Sequence, residues 1–480
     1  MSSQFSTKNQ IEEIIPRESK LAYTGIQFSS GFFSNLVIAT SFTYFYNVKL
    51  GLDGFWVSLA WLIFIIWNTV NDPLLGFLED RTKSEKYGRR IPYIRFGAPI
   101  YAGLFILSWI PFFDSNNQIG LFFNLLFILY TFDTMFTLIG LISYSLPAEM
   151  AITEKARSNL MVYGSIGNAF SFLLSFVIPS LLLTGDEPAS SDPLFPIFVI
   201  TMIIFGIIGG IILFASSYYI KENKYTILEE PLNFKDTIVQ TFKNKPFIIF
   251  EISNFLWLIG QFIITNGVLY YVDFVLGLSG IMSMVPLLVV FIMIFLFFPV
   301  YSRLIIKYGV KNVFISLLIF TGISFLLTFL IGWNLSTAFI SMVLLGIGLS
   351  GYFVASQIVM ANIIDYDEIL TGKRRESSYA GMNALLTKPT NSIAPWLFLS
   401  ILAIFGFVND PTVEQTYSAK LGIMIAFTIV PGILILISGL IMFFFSLSGP
   451  NWSEQKDKLF KIHQEKEMAY LKHLKEQGKI

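Results

Sequence analysis

Twelve runs of apolar residues, each long enough to cross a bilayer as a helix, leave this chain almost no choice of medium. A hydrocarbon core about 30 Å thick is spanned by roughly 20 helical residues rising about 1.5 Å each. The runs cover 22–47, 55–79, 92–113, 119–148, 157–184, 194–220, 246–275, 280–305, 311–333, 336–364, 376–407 and 419–447. Of 480 residues, 54% are hydrophobic and 13% charged, too little polar surface for a soluble fold of this size. The expected fold is an all-α polytopic membrane protein of 12 transmembrane helices.

Charge patterning orients these spans. With both ends inside, 28 of the 32 Lys and Arg fall on the cytoplasmic side and two, Lys49 and Lys420, on the other. Basic residues favour the cytoplasmic face, so both termini are expected in the cytoplasm of a cell-membrane protein. The polar first 21 residues lack a signal peptide's short apolar core. The longest inner loop divides the runs six and six. The resulting domains are a cytoplasmic segment 1–21, a bundle 22–220, a linker 221–245, a second bundle 246–447 and a cytoplasmic tail 448–480. This layout fits two pseudo-symmetric halves; Gly76 to Arg90 is faintly echoed by Arg303, Lys307, Tyr308, Gly309 and Lys311. The tail reads as a charged surface helix without a specific role.

Several function classes drop out. Basic and acidic residues balance at 32 each, so no nucleic-acid partner is expected. There is no Cys, and the two His, His463 and His473, lie in the polar tail, so neither an enzyme nor a resident metal or cofactor is expected. Gly372-Lys373 runs into Arg374 and makes no phosphate loop, which argues against direct ATP drive.

The polar groups kept inside the apolar runs carry the functional reading. An ionised side chain at mid-bilayer costs about 2.5–3.5 kcal/mol on insertion scales, so each needs a partner or a wet cavity. Asp72 lies about 12 Å inside the end marked by Asp80, and Asp133 falls near the middle of the fourth run. Asn68 is one turn from Asp72 on the same face, so Asn68, Asp72 and a facing Asp133 can offer oxygens to one small cation. Lys388 is about 18 Å deep in the eleventh run. Pro73 and Pro389 follow Asp72 and Lys388 directly and interrupt backbone bonding, which is tolerated where a helix lines a cavity. Substrate contacts are expected from Tyr23, Gln27, Tyr163, Asn168, Trp257, Gln261 and Asn383, with Asn35, Asn254 and Asn266 as further candidates. Their amides suit hydroxyls and their rings suit a sugar face; the plainer alternative is that they satisfy one another.

Three inner-loop motifs carry a family resemblance. Gly76-Phe-Leu-Glu-Asp80-Arg81 continuing to Gly88-Arg89-Arg90 resembles the cytoplasmic loop motif of the major facilitator superfamily. Its expanded form is that of the glycoside-pentoside-hexuronide:cation symporters, the melibiose-permease-like branch. Pro147-Ala-Glu149 with Arg157 is similar to a second segment of that family. Asp365-Tyr366-Asp367-Glu368 through Thr371-Gly372-Lys373-Arg374-Arg375 is similar to a third.

The resemblance implies the major facilitator fold and alternating-access symport of a sugar or glycoside with Na+ or H+. It places the cation at Asn68, Asp72 and Asp133, although the family has an acid where this chain has Asn68. It makes Lys388 the coupling residue. It assigns the cytoplasmic gate to Gly76, Asp80, Arg81, Arg89, Arg90, Glu149, Arg157, Asp365, Arg374 and Arg375, with Gly76 letting helices approach closely. The helix-one Asp and helix-five Arg with which those porters grip sugar have no counterpart here, so a carrier of a lysolipid or other amphiphile is the alternative. The expected partners are a small-molecule substrate and the bilayer, around a monomer.

Overall fold

The structure is a computed structural model and describes residues 15–81, 90–114, 116–151, 154–185, 187–220, 241–372, 375–456 and 458–459. Its described secondary structure is helical throughout. Ten helices are long and apolar enough to cross a membrane. Two further apolar runs, the first and the eleventh, are interrupted.

The first run starts as α1 (Arg17–Ser34), widens into π-helical turns at Asn35–Thr40 and Phe45–Lys49, and contains the short α2 (Phe42–Tyr44) between them. Hydroxyls answer the carbonyls that the wider turns release: Thr40 Oγ1 donates to Asn35 O at 3.0 Å and Ser41 Oγ to Leu36 O at 3.2 Å. Then follow α3 (Gly54–Arg81), α4 (Ile91–Ser108), α5 (Gln118–Met150), α6 (Glu154–Leu183) and α7 (Phe195–Tyr219). After 221–240, which lie outside the described residues, come α8 (Lys245–Tyr270) with a π-helical end at Tyr271–Val275, α9 (Ile281–Tyr308), α10 (Val310–Ile331) and α11 (Leu335–Thr371). The eleventh run is two helices, α12 (Glu376–Thr387) and α13 (Thr390–Ile404), hinged at Lys388-Pro389. The last run is α14 (Tyr417–Met424), a π-helical turn at Ile425–Ile429, and α15 (Val430–Met442).

Helices up to α7 pack chiefly on one another, as do those from α8 onward; α3 against α13 and α6 against α9 join the two groups. Small residues set the closest crossing. A Cβ at Gly167 of α6 would come within 2.4 Å of the Thr24 carbonyl of α1, so only glycine admits this approach. Gly76 differs from expectation: a Cβ there would meet Leu141 Cδ1 at 3.7 Å, ordinary contact, so close packing does not demand a glycine at that point in this conformation.

The end of the molecule opposite the termini is sealed between the two groups. Thr43 Oγ1 donates to Asn266 Oδ1 at 2.9 Å, Tyr270 to Asn47 Oδ1 at 2.9 Å, and Ser180 Oγ to Ser283 Oγ at 2.8 Å. The Tyr44 hydroxyl donates to Asp273, whose other oxygen accepts from Gly185 N at 3.1 Å. Lys49, read from the sequence as a residue of the outer loops, is buried and paired with Asp192 at 2.8 Å. At the termini end, the start of the tail packs back on the helix bundle. Trp452 is buried, and Lys456 donates to Asn362 at 2.6 Å and reaches Asp365 at 3.8 Å.

Candidate transport site

The hinge in the eleventh run is chemical as well as geometric. Pro389 has no N–H to give the Leu385 carbonyl, the run gives way to a turn there, and the Lys388 carbonyl accepts from Asn68 Nδ2 of α3 at 3.0 Å as well as from Asn391 N at 3.1 Å. The Lys388 ammonium turns the same way and donates to Asp72 Oδ1 at 2.5 Å, Asn71 Oδ1 at 2.9 Å and Thr137 Oγ1 at 2.7 Å. Asp133 of α5 joins through Asn71, whose amide donates to Asp133 and, at 3.1 Å, to Thr137. Asn68, Asp72, Asp133 and Lys388 thus meet where α3, α5 and the α12–α13 hinge converge, all of them largely or fully buried.

Two oxygens in this cluster stand out. Asn68 Oδ1 and Asp133 Oδ1 are buried and have no hydrogen-bond partner among the described residues. Leaving a buried acceptor unpaired costs about 1–3 kcal/mol, so such groups call for a functional reason. These two oxygens, beside the carboxylate of Asp72 that Lys388 occupies, are the open acceptors of the cluster. Asn71 and Thr137 are the members that sequence reasoning misses. The signal was present, since Asn71 is three residues from Asn68 and Thr137 four from Asp133, spacings that share a helix face.

The expected substrate residues fall into two clusters. In the first, Gln27 Nε2 donates to the Tyr23 hydroxyl at 2.8 Å and Asn168 Nδ2 to Gln27 Oε1 at 3.3 Å. Tyr163 stands nearby under the Lys20 ammonium, 5.5 Å from its ring centre. Asn168 is exposed and Gln27 and Tyr163 partly so. In the second, Trp257 donates to Gln261 Oε1 at 3.0 Å and stacks on Tyr352 with ring centres 3.9 Å apart. Trp257 is fully buried, so its face is taken by Tyr352 rather than offered to a ligand. Asn383 bonds Asn254 at 2.9 Å beside Glu251, a buried acid that sequence reasoning did not select although it stands inside the apolar run 246–275. Beyond Gln261 lies an apolar cavity of about 70 Å³, walled by Phe172 and Phe176 of α6 and Phe291 of α9.

Of the gate residues, Arg375 is buried and donates from Nε to Asp367 Oδ2 at 2.8 Å; this bond holds its guanidinium above the ordinary value. Asp365 meets Lys456, and Arg90 directly precedes α4 without a side-chain cap on it. Asp80, Arg81, Glu149 and Arg157 lie in helices whose side chains at those positions are not described, and Arg89 and Arg374 lie outside the described residues.

A helical membrane protein with a polar site at the junction of its two helix groups, closed at one end, is a secondary transporter of the major facilitator class and not an enzyme. The sequence pattern described as "MFS/sugar transport protein" matches residues 28–449, and the chain belongs to that family. It is 26% identical over 465 residues to an uncharacterized symporter of Bacillus subtilis (strain 168), covering 91% of this chain and 96% of that one. It is 23% identical over 416 residues to the glucuronide carrier protein homolog of Escherichia coli (strain K12), covering 85% and 88%. The solved structure of a D-xylose-proton symporter superposes with a TM-score of 0.61 at 14% identity, covering 89% of this chain and 96% of that one. A nucleoside transporter, NupG, gives 0.58 at 16%, covering 89% and 100%.

Proposed function

We propose that this protein is a cation-coupled symporter of a sugar or glycoside that works by alternating access. The observation that carries this reading is the Lys388 ammonium seated on Asp72, Asn71 and Thr137 beside the unpaired oxygens of Asp133 and Asn68. In the cycle, an arriving Na+ or H+ competes with Lys388 for Asp72. The freed ammonium swings off α3, and because Lys388 is the hinge of the eleventh run, α12 and α13 move with it. Ion occupancy thereby changes how the two helix groups meet, which is the coupling step.

The closed end is the outer one in this reading, both termini are cytoplasmic, and the protein acts as a monomer in the cell membrane. Glycosides are favoured as substrate because the amides of Gln27 and Asn168 and the phenol of Tyr163 are partly or fully exposed and suit hydroxyls. The apolar cavity beyond Gln261 suits an amphiphile, and it is the observation that keeps the lysolipid alternative. Uptake into proteoliposomes under separately imposed sodium and proton gradients tests the reading. The panel is glucuronides, galactosides, pentosides, nucleosides and a lysolipid. Concentrative uptake of a glycoside under one gradient is expected; movement of the lysolipid alone would overturn the sugar assignment.

A further inference from the structure

Glu251 takes no part in the cluster around Lys388, yet it is the better isolated acid. It sits six residues into α8, about 9 Å from the helix start, and is 4% exposed. No ion pair reaches it among the described residues. Its surroundings can be followed helix by helix. From α11 comes Tyr352, whose hydroxyl donates to Asn254, one turn along α8 from Glu251. From α12 comes Tyr379, whose hydroxyl is held by Asn244 at 2.8 Å near Arg375 and Asp367. The acids at the end of α11 lie beyond Ile363, whose carbonyl meets Asn244 at the start of α8. Lys388 is committed to Asp72. Tyr44, Tyr271 and Asp273 stand at the sealed end, and α13, α15 and the remaining π-helical turns packed on α8 contain no titratable side chain. Among the described residues, Glu251 thus faces amides and a phenol and no cation.

The Asn254 side chain bears on Glu251 directly, and the Asn383 amide can face the carboxyl in two ways. One atom of the Asn383 amide lies 2.9 Å from Asn254 Nδ2 and 3.1 and 3.2 Å from the two Glu251 oxygens. As an oxygen it accepts from Asn254, and it faces the carboxyl without acceptor–acceptor conflict when Glu251 bears a proton and donates it. As a nitrogen it donates to an ionised carboxylate, but then it confronts the Asn254 nitrogen and forces that amide to turn. Turning Asn254 withdraws Oδ1 from the Tyr352 hydroxyl, which donates to it now. Each protonation state therefore fixes one direction for the whole chain of donors. Tyr352 in turn is stacked on Trp257, which bonds Gln261 at the edge of the apolar cavity.

We propose that Glu251 is a proton-binding site in its own right, separate from the Lys388 cluster, and that its two states set the hydrogen-bond direction of the Asn383–Asn254–Tyr352 chain beside Trp257. The step is one proton taken by a carboxylate oxygen from water and later returned to water, with no redox partner. It deepens the porter reading by supplying a place where protons act on the substrate side, and it rests on that reading only for what is transported.

Infrared difference spectroscopy of the full-length protein in liposomes, with pH steps and no substrate, tests this directly. Wild type is expected to show a carboxylic-acid carbonyl band at neutral pH that Glu251→Gln lacks. Raising the pH should remove that band and, over the same range, change the share of tryptophan fluorescence lost in Trp257→Phe. If Glu251→Gln misfolds, wild type measured against Trp257→Phe still decides. A band unaltered by Glu251→Gln, a band that persists to the highest pH the protein tolerates, or its removal without a Trp257 response would each overturn the proposal. None of these outcomes touches the uptake panel above, so the two ideas fail separately.

Discussion

At Lys388 the physics of a buried charge becomes a functional device. Removing one member of a buried ion pair strands the other at a cost of about 3–5 kcal/mol, whereas replacing both is often near neutral. Lys388→Ala is therefore expected to lower the thermal midpoint sharply, and Lys388→Ala with Asp72→Asn to recover most of it, as followed by fluorescence melting in detergent. A double variant no more stable than the single would show that the pair is not what holds Lys388 in place. Sequence reasoning reached Asp72, Asp133 and Lys388 because a charge inside an apolar run is conspicuous at any position. Asn71 and Thr137 were not legible in the same way, since neutral polar residues are common in such runs and only their partners give them meaning. Glu251 stands as plainly inside the apolar run 246–275, but the family resemblance, which names Asp72, Asp133 and Lys388, does not point to it.

Among the helices, the interruptions are the features that the proposed mechanism uses. The twelve apolar runs and their order were readable from length and hydropathy, but the π-helical turns near Asn35, Phe45, Tyr271 and Ile425 were not, because they follow from hydroxyl and tertiary partners rather than from propensity. The hinge at Lys388-Pro389 was signalled by its proline. Alanine at 389 restores an N–H for the Leu385 carbonyl, so Pro389→Ala is expected to raise the melting temperature while reducing concentrative uptake, because the turn that seats the Lys388 carbonyl on Asn68 is lost. Equal uptake with a raised melting temperature would mean that the hinge is not used. The π-helical segments bring Tyr44 and Asp273 together at the sealed end. Since the chain has no Cys, Ser180→Cys can report on that seal with a membrane-impermeant thiol reagent. Labelling is expected to be slow in the otherwise native protein and faster by several-fold when Tyr44→Phe is added; unchanged labelling would remove Tyr44 from the seal.

For the whole molecule, alternating access requires the two helix groups to trade one closed end for the other. The contacts seen here belong to one side of that exchange: bonds across the junction at the end opposite the termini, and the Lys388 cluster midway. One monovalent cation moving down about 100 mV supplies about 2.3 kcal/mol, enough for roughly 50-fold accumulation of a solute coupled one to one. The account's central claim is that Asp72, shared between Lys388 and the ion, converts that energy into accumulation. The most direct measurement is the steady inside-to-outside ratio of the best substrate from the uptake panel, in proteoliposomes with an imposed ion gradient, for wild type and Asp72→Asn. Wild type should concentrate the substrate towards that limit, while Asp72→Asn should equalise it and still exchange labelled for unlabelled substrate. An Asp72→Asn protein that concentrates substrate as far as wild type would contradict the account.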